Sequence, residues 1–471
     1  MKRFIAILLG LLTLLTVCAC GNRESDNGKV KITVDDFTDG SVGLDIWVKE
    51  RQDLFDEQYP DIEVEHVARI VGDASKNVQS VINNLSTQSG AATVIQMNAN
   101  NYVRTVYVSG LTADWTPYLS EEMKQSFDET VLEGFKKGDE ITGLPYQQEF
   151  PLLAFNRKHL RAQNISDEEI DAIKTWDDFL PIAKKLSGTY TVAGSTVNVS
   201  GYAGQINDYY TMGIWNIANN YQTVTQNQDE TIEVNLDNQS SVETYQFLQT
   251  LKSEGAMTLN TNTSFTDYFN AIFQNRVASF IYYPSWSAVW FEPQGIRASD
   301  IKVINMPLGP SAVQARENGE EIATNANFTQ GYVLNARASE EQKQAAATYM
   351  EFMLSHEAWE SRIQFAKDEN IPMLVVPPYK YTDQELNDNL FTNIPEDWKS
   401  SLINSIKNPY IYMADSDAFI NYVAPHIPGI VNGSDSYGNY DSAQSIAERL
   451  QALENTIYSE WLNAYNQQVK G

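Results

Sequence analysis

The chain has 471 residues, 61 acidic side chains against 33 Lys and Arg, and a formal charge of −28 at neutral pH. That balance argues against nucleic acid and anionic lipid as partners, because both attract basic surfaces. The length exceeds one ordinary core and favours two large lobes, and the 25 tyrosines supply recognition surfaces as well as core.

Lys2 and Arg3 precede an apolar run over residues 4–19 that stops at Cys20. A basic segment, a short apolar segment and a small residue before the cut describe a secretory signal peptide. The run is also shorter than the roughly 20 residues a spanning helix needs. Val17-Cys18-Ala19-Cys20 resembles the lipobox of bacterial lipoproteins, with Cys18 an unusual occupant of the third position. The resemblance implies a cut after Ala19 and lipidation of Cys20, and two acyl chains suffice for stable anchoring. The expectation is a signal peptide over 1–19 and a lipidated tether over 20–29. A soluble, monomeric body is then leashed to the extracellular face of the membrane of a Gram-positive type cell. Both cysteines lie in this leader, so the body is expected to hold neither disulfide nor thiolate metal site.

Strand and helix patterns alternate from there. Val30, Ile32 and Val34 alternate as a half-buried strand; Leu44, Trp47, Val48, Arg51, Leu54 and Phe55 recur at helical spacing, up to Pro60. Ile62, Val64 and His66 alternate again, Val78, Val81, Ile82 and Leu85 form a second helical stripe, and residues 92–97 read as a buried strand. This β-α-β-α-β order predicts a parallel sheet with right-handed crossovers. Ligands then sit beyond the carboxyl ends of strands, which points to the loops carrying Phe37, Asp39 and Asn98. Further on, Thr175, Ser339 and Ser442 each open a helix whose apolar stripe belongs to a core.

Catalytic signatures are nearly absent. There is no Gly-x-Ser-x-Gly elbow and no phosphate-binding glycine loop. His356-Glu357-Ala358-Trp359-Glu360 begins like a zinc-protease helix, but Glu360 stands where the second histidine ligand belongs. Residues 432–441 carry oxygen ligands enough for calcium without the EF-hand spacing, and read as a solvated loop. No metal, no cofactor and no enzymatic activity are expected.

The middle of the chain carries a family resemblance. Gly143-Leu144-Pro145-Tyr146, then Glu149, then residues 153–158 (Leu-Ala-Phe-Asn-Arg-Lys) resemble a segment of family 1 extracellular solute-binding proteins, the receptors of ABC importers. Residues 110–119, the Thr175-Trp176-Asp177-Asp178-Phe179 helix start, residues 268–286, Asn305-Met306-Pro307-Leu308-Gly309 and Gly331-Tyr332-Val333-Leu334-Asn335 agree in order. Asn275-Arg276 and Tyr283-Pro284-Ser285 depart from the family pattern.

The resemblance implies a two-lobe α/β fold of the periplasmic-binding-protein type, each lobe a mostly parallel sheet flanked by helices, with a strand-crossing hinge. It assigns residues 30–147 and 305–335 to the first lobe, and 148–304 and 336–471 to the second. Crossings are expected near residues 145–149, near Met306 and near Asn335. The implied function is capture of a solute by hinge closure and delivery to the membrane subunits of an ABC permease.

By resemblance, Trp286 stacks on a sugar ring and Glu149 accepts hydroxyl hydrogen bonds, with Asp208, Tyr209 and Tyr210 in a looser match. Phe37, Asp39 and Asn98 follow from the strand-end argument, and Tyr283, Asn327 and Phe328 complete the candidate cleft. An oligosaccharide is the leading ligand. A polyamine or other small cation is the rival, since carboxylates and tyrosines also recognise cations. A surface glycoside hydrolase would need a pair of cleft carboxylates. Presentation of the ligand to a sensor kinase would use the same closure.

Overall fold

In the computed structural model, the described residues are 28–36, 44–68, 81–83, 85–86, 91–97, 100–204, 209–221, 223–259, 276–282, 297–388, 390–407, 409–411 and 419–470. Residues 1–20, where a signal peptide and a lipidated cysteine were expected, and residue 78 lie outside them. Among the described residues no helix is long and apolar enough to cross a membrane.

Two principal sheets organise the chain. The first begins as the alternation predicts: β1 (Val30–Asp36), helix α1 (Leu44–Gln58), β2 (Ile62–Ala68) and β3 (Val94–Met97). β1 pairs in parallel with both β2 and β3, with Val34 opposite His66 and Val94. Helix α2 (Asn100–Val108) and β4 (Thr112–Ala113) follow, and then β5 (Leu144–Glu149). The chain passes into the second sheet at once, with β6 (Leu152–Asn156) two residues later. Helix α3 (Trp176–Lys185) starts on the capping box read from the sequence: Thr175 accepts from the Asp178 amide, and the Asp178 carboxylate reaches back to the Thr175 amide.

The second sheet gathers β7 (Ser195–Gly204), β8 (Met257–Leu259), β9 (Val277–Tyr282) and β10 (Ile301–Ile304) around β6, in the order β8-β7-β9-β6-β10. Helix α4 (Gln239–Ser253) covers one face. β6 is buried on both faces because two cores meet it: Leu153 and Phe155 face one, Leu152 and Ala154 the other. Each sheet is parallel along one side, over β1–β3 in the first and β7–β9 in the second, and is extended by antiparallel strands on the other. In the first sheet the antiparallel addition is β11 (Asn325–Asn335), which pairs with β3, β4 and β5 and in parallel with β12 (Pro409–Ile411).

The lobe boundaries differ from expectation after β11. Helix α5 (Glu340–Met353) and helix α6 (His356–Asp368) pack on the first sheet, against β1 and α1, although residues 336–471 were assigned to the second lobe. Only four residues separate β11 from α5, so its Ala346, Tyr349 and Met350 stripe meets the nearest core, the first. The third crossing therefore runs through residues 371–379 and not near Asn335. Met373, Val375 and Tyr379 join the first core, while Leu374 and Val376 join the outer core of the second sheet. The C-terminal stripe is interrupted as well: α7 (Ala443–Leu453) and α8 (Ser459–Lys470) flank a π-helical segment at Glu454–Tyr458.

Candidate ligand-binding site at the hinge

The polar run Gln147-Gln148-Glu149 sits in the last half of β5, between Leu144-Pro145-Tyr146 and Phe150. All three are almost wholly buried, so each side chain must find hydrogen bonds. The strand alternates, which divides them between two faces.

Gln148 belongs to one face. Its Nε2 donates to the Pro377 carbonyl at 3.0 Å, and its Oε1 accepts from Asn327 Nδ2 at 2.8 Å. Thr329 Oγ1 donates to Asn327 Oδ1 at 2.8 Å. These bonds tie β5, β11 and the third crossing together where the chain changes sheets.

Glu149 and Gln147 share the other face with Gln330. Glu149 Oε1 accepts from Gln147 Nε2 at 2.9 Å and from Gln330 Nε2 at 2.6 Å. Gln330 Oε1 in turn accepts from Gln96 Nε2 at 2.8 Å, at the carboxyl end of β3. Gln147 Oε1 accepts from an Arg362 guanidinium nitrogen at 3.2 Å, and the other terminal nitrogen donates to Tyr146 Oη at 2.8 Å. Arginine can only donate, so it fixes the Gln147 amide with its oxygen toward Arg362 and its NH2 toward Glu149. Both amides thus converge as donors on one carboxylate oxygen, an arrangement that suits the charged carboxylate. Two donors at these distances offset part of the several kcal/mol that burying a carboxylate costs.

Arg362 is itself buried on α6, and among the described residues it pairs with no carboxylate. Its guanidinium lies 4.5 Å from the Trp359 ring centre, 5.4 Å from Tyr146 and 5.9 Å from Trp47. Aromatic faces are a favourable setting for a weakly hydrated planar cation. A register shift between Gln330 and Gly331 bulges β5 at Tyr146 and aims that ring at Arg362. Gly331 is obligatory here, since a Cβ would stand 2.2 Å from Phe135 Cε1 and 2.8 Å from the Leu144 carbonyl oxygen.

Of the eleven residues expected to line the cleft, Glu149, Asn327 and Phe328 are described together with their side chains. The hinge strands bring them together, with Glu149 directly opposite Phe328. Asn327 is fully buried with both ends of its amide in use, and Phe328 packs into the second core. Tyr209 and Tyr210 open the helix Tyr209–Ile217. Phe37, Asp39, Asn98, Asp208, Tyr283 and Trp286 lie outside the described residues. Sequence reasoning missed Gln96, Gln147, Gln330 and Arg362. A polar tripeptide inside an otherwise apolar strand was the available signal for Gln147; nothing local marked Arg362. The two other motifs weighed have structural duties. His356 stacks on Tyr379 at 4.2 Å and Glu357 pairs with Arg51 at 3.2 Å. Residues 434–439 form a hairpin whose Asp435 carboxylate accepts from the Tyr437 amide and from Tyr440 Oη.

The family model of bacterial extracellular solute-binding proteins matches residues 35–358. No curated protein matches the chain in sequence. Among solved structures, the chain is similar to the GacH receptor of Streptomyces glaucescens, solved unliganded and with acarbose, at 13% identity and a TM-score of 0.66, covering 91% of this chain and 99% of that one. It is similar to the maltose/maltodextrin-binding domain MalE of Bdellovibrio bacteriovorus bound to maltotriose, at 16% identity and a TM-score of 0.64, covering 92% and 100%. It is also similar to UgpB of Mycobacterium tuberculosis in complex with glycerophosphocholine, at 12% identity and a TM-score of 0.63, covering 89% and 98%. At such identities the structural likeness establishes the shared two-lobe α/β fold. With the family model spanning more than half its length, the chain belongs to the bacterial extracellular solute-binding proteins.

Proposed function

We propose that the chain is a cell-surface receptor that captures an oligosaccharide between its two sheets and delivers it to an ABC-type permease. Cleavage after Ala19 and lipidation of Cys20 would hold it at the outer face of the membrane. The observation that carries the reading is Glu149: a buried carboxylate, oriented by two glutamine amides, at the point where the chain crosses from one sheet to the other. Such a carboxylate is an acceptor for sugar hydroxyls. The acarbose and maltotriose complexes of similar receptors support the sugar. Trp286, Tyr283, Asp208, Tyr209, Tyr210, Phe37, Asp39 and Asn98 would complete the lining from both lobes. Asn327 and Phe328 serve as hinge packing in this reading. A binding protein without catalysis is consistent with the family.

A second reading has an observation of its own. A relative of the same fold is solved with glycerophosphocholine, and a charged Glu149 suits an ammonium group as well as a hydroxyl. The test is a thermal-shift panel of maltooligosaccharides, other glycans, polyamines and glycerophosphocholine. A ligand that binds only the folded state raises stability by RT ln(1 + [L]/Kd), about 2.7 kcal/mol at a hundredfold excess over Kd. A rise with one glycan that disappears in Trp286→Ala and in Glu149→Gln supports the sugar receptor. A rise confined to the cations overturns the sugar, and a glycan rise untouched by both substitutions overturns the site.

A further inference from the structure

The second lobe reaches the first at a place distant in sequence from the crossing strands. Hairpin 224–234 is rooted in the second lobe, where Thr223 and Asn238 tie it to the start of α4. The last helix lies along this hairpin. Asn466 on α8 works like an added strand: its Oδ1 accepts from the Ile232 amide and its Nδ2 donates to the Ile232 carbonyl, both at 2.9 Å. Lys470 pairs with Asp229 at 3.2 Å. Hairpin and helix therefore move as one arm.

The redirection of the helix has a visible cause. Within the π-helical segment Thr456 adopts φ −110° and ψ −112°, outside helical space, and breaks the axis between α7 and α8. Beyond the break, Tyr465 and Val469 join Val224 and Ile232 in a small apolar cluster of their own, separate from both lobe cores. Val108, at the end of α2 in the first lobe, packs against this cluster, as do Tyr221, Val234, Trp461 and Leu462 from the second-lobe side.

A charged contact lies beside it. Arg104, also on α2 and almost fully buried, donates from Nε to the Lys136 carbonyl at 3.2 Å, with a second bond from a terminal nitrogen to the same oxygen. That terminal nitrogen is 3.4 Å from Glu230 Oε2, at the hairpin tip. Glu230 has φ +65°, the left-handed region that a residue with a side chain enters at a cost of about 1 kcal/mol. The same conformation closes the hairpin turn, where the Glu230 amide donates to the Asn227 carbonyl at 3.0 Å. Here the strained residue delivers its carboxylate to the other lobe.

We propose that the arm, hairpin 224–234 with α8, is an inter-lobe clamp: it holds Arg104 and Val108 of α2, and the lobes rotate about the hinge only by sliding or releasing this contact. The open and closed populations are then set in part by residues that never touch ligand. A solute must offset the clamp, and a change in the clamp alters apparent affinity without altering the cleft.

The test needs no ligand. The chain from Gly28 onward contains no cysteine, so spin labels can be attached at Asp53→Cys on α1 and Asp177→Cys on α3, both exposed. Pulsed-EPR distance distributions are then compared for the parent, for Glu230→Gly and for Val469→Asp. Glycine suits φ +65° and leaves the Ile232–Asn466 pairing in place, so Glu230→Gly removes the anchor, together with the bond that Gln226 Nε2 donates to the same carboxylate, while the backbone of the hairpin is kept. The expected result is about a five-fold change in the ratio of inter-lobe distance populations for Glu230→Gly, the effect of losing a partly buried ion pair. Val469→Asp is expected to shift the ratio in the same direction and further. Identical distributions in the parent and Glu230→Gly, with folding verified by circular dichroism, overturn the clamp whatever Val469→Asp does.

Discussion

His159 makes the second lobe sensitive to acid, and the size of the effect follows from its surroundings. The ring is fully buried in the short helix Arg157–Ala162, edge-on to Tyr190. Tyr190 Oη donates to the Leu186 carbonyl at 2.9 Å, so its lone pair is left to accept from His159 Nδ1 at 3.0 Å. This chain of bonds selects the tautomer protonated at Nδ1, and Nε2 then faces no partner among the described residues. Burial, with a smaller contribution from Lys158, pushes the imidazole pKa down to about 4 from the ordinary 6.5. Between those values the unfolded chain binds a proton that the folded chain refuses, so stability falls as the pH falls. The stabilisation is complete above pH 6.5 and is lost as the pH drops toward 4. The loss works out at about 2 kcal/mol by pH 5 and about 3 kcal/mol by pH 4, relative to pH 7. Other groups also titrate in acid, so the assay is a difference. Melting curves of the parent and of His159→Gln, which keeps a donor for Tyr190, are compared from pH 7.5 to 4. The parent should lose about 4–8 °C more than the variant by pH 5, taking 2–4 °C per kcal/mol for a lobe of this size. Parallel melting profiles would refute the buried neutral imidazole.

Other perturbations probe the hinge and the packing. Gln147→Leu removes the amide between Arg362 and Glu149 and leaves a buried donor and a buried carboxylate each short of a partner. A loss of about 2–4 kcal/mol in denaturant unfolding is expected, and a loss under 0.5 kcal/mol would show that the relay carries little energy. Gly201→Ala would place a Cβ 1.8 Å from the Ala183 carbonyl oxygen, inside any contact distance. It should cost more than about 3 kcal/mol or prevent accumulation of folded protein, whereas a near-normal melting temperature would contradict the packing of β7 on α3. Ser339→Ala deletes the capping hydroxyl of α5 and should cost about 1 kcal/mol, read as a fall in denaturation midpoint at unchanged slope.

The early part of the fold was legible because its information is local. Val30, Ile32 and Val34 alternate, α1 ends before Pro60, and Thr175 and Ser339 carry their capping partners three residues away. Periodicity and caps need no knowledge of the rest of the molecule. The site was legible only in part. Glu149 could be named from a short motif, but its partner Gln330 stands 181 positions away in the chain, and Arg362, which orients Gln147 toward it, stands 215 positions from Gln147. An interaction across such distances leaves no spacing to read.

By itself the sequence determined the class of the chain: the acidic balance, the order of strands and helices, and the motifs that resemble a solute-binding family. These follow from composition and short-range stereochemistry, which act on each segment alone. Tertiary structure decided which core each amphipathic stripe joins. Helices α5 and α6 went to the first lobe because a short connection leaves them beside that sheet, although their stripes would have suited either core. It also decided that Arg362, one guanidinium among many cations, orients a buried carboxylate through an amide. Burial removes the water that would otherwise serve all these groups, and only the folded chain determines which side chains take its place.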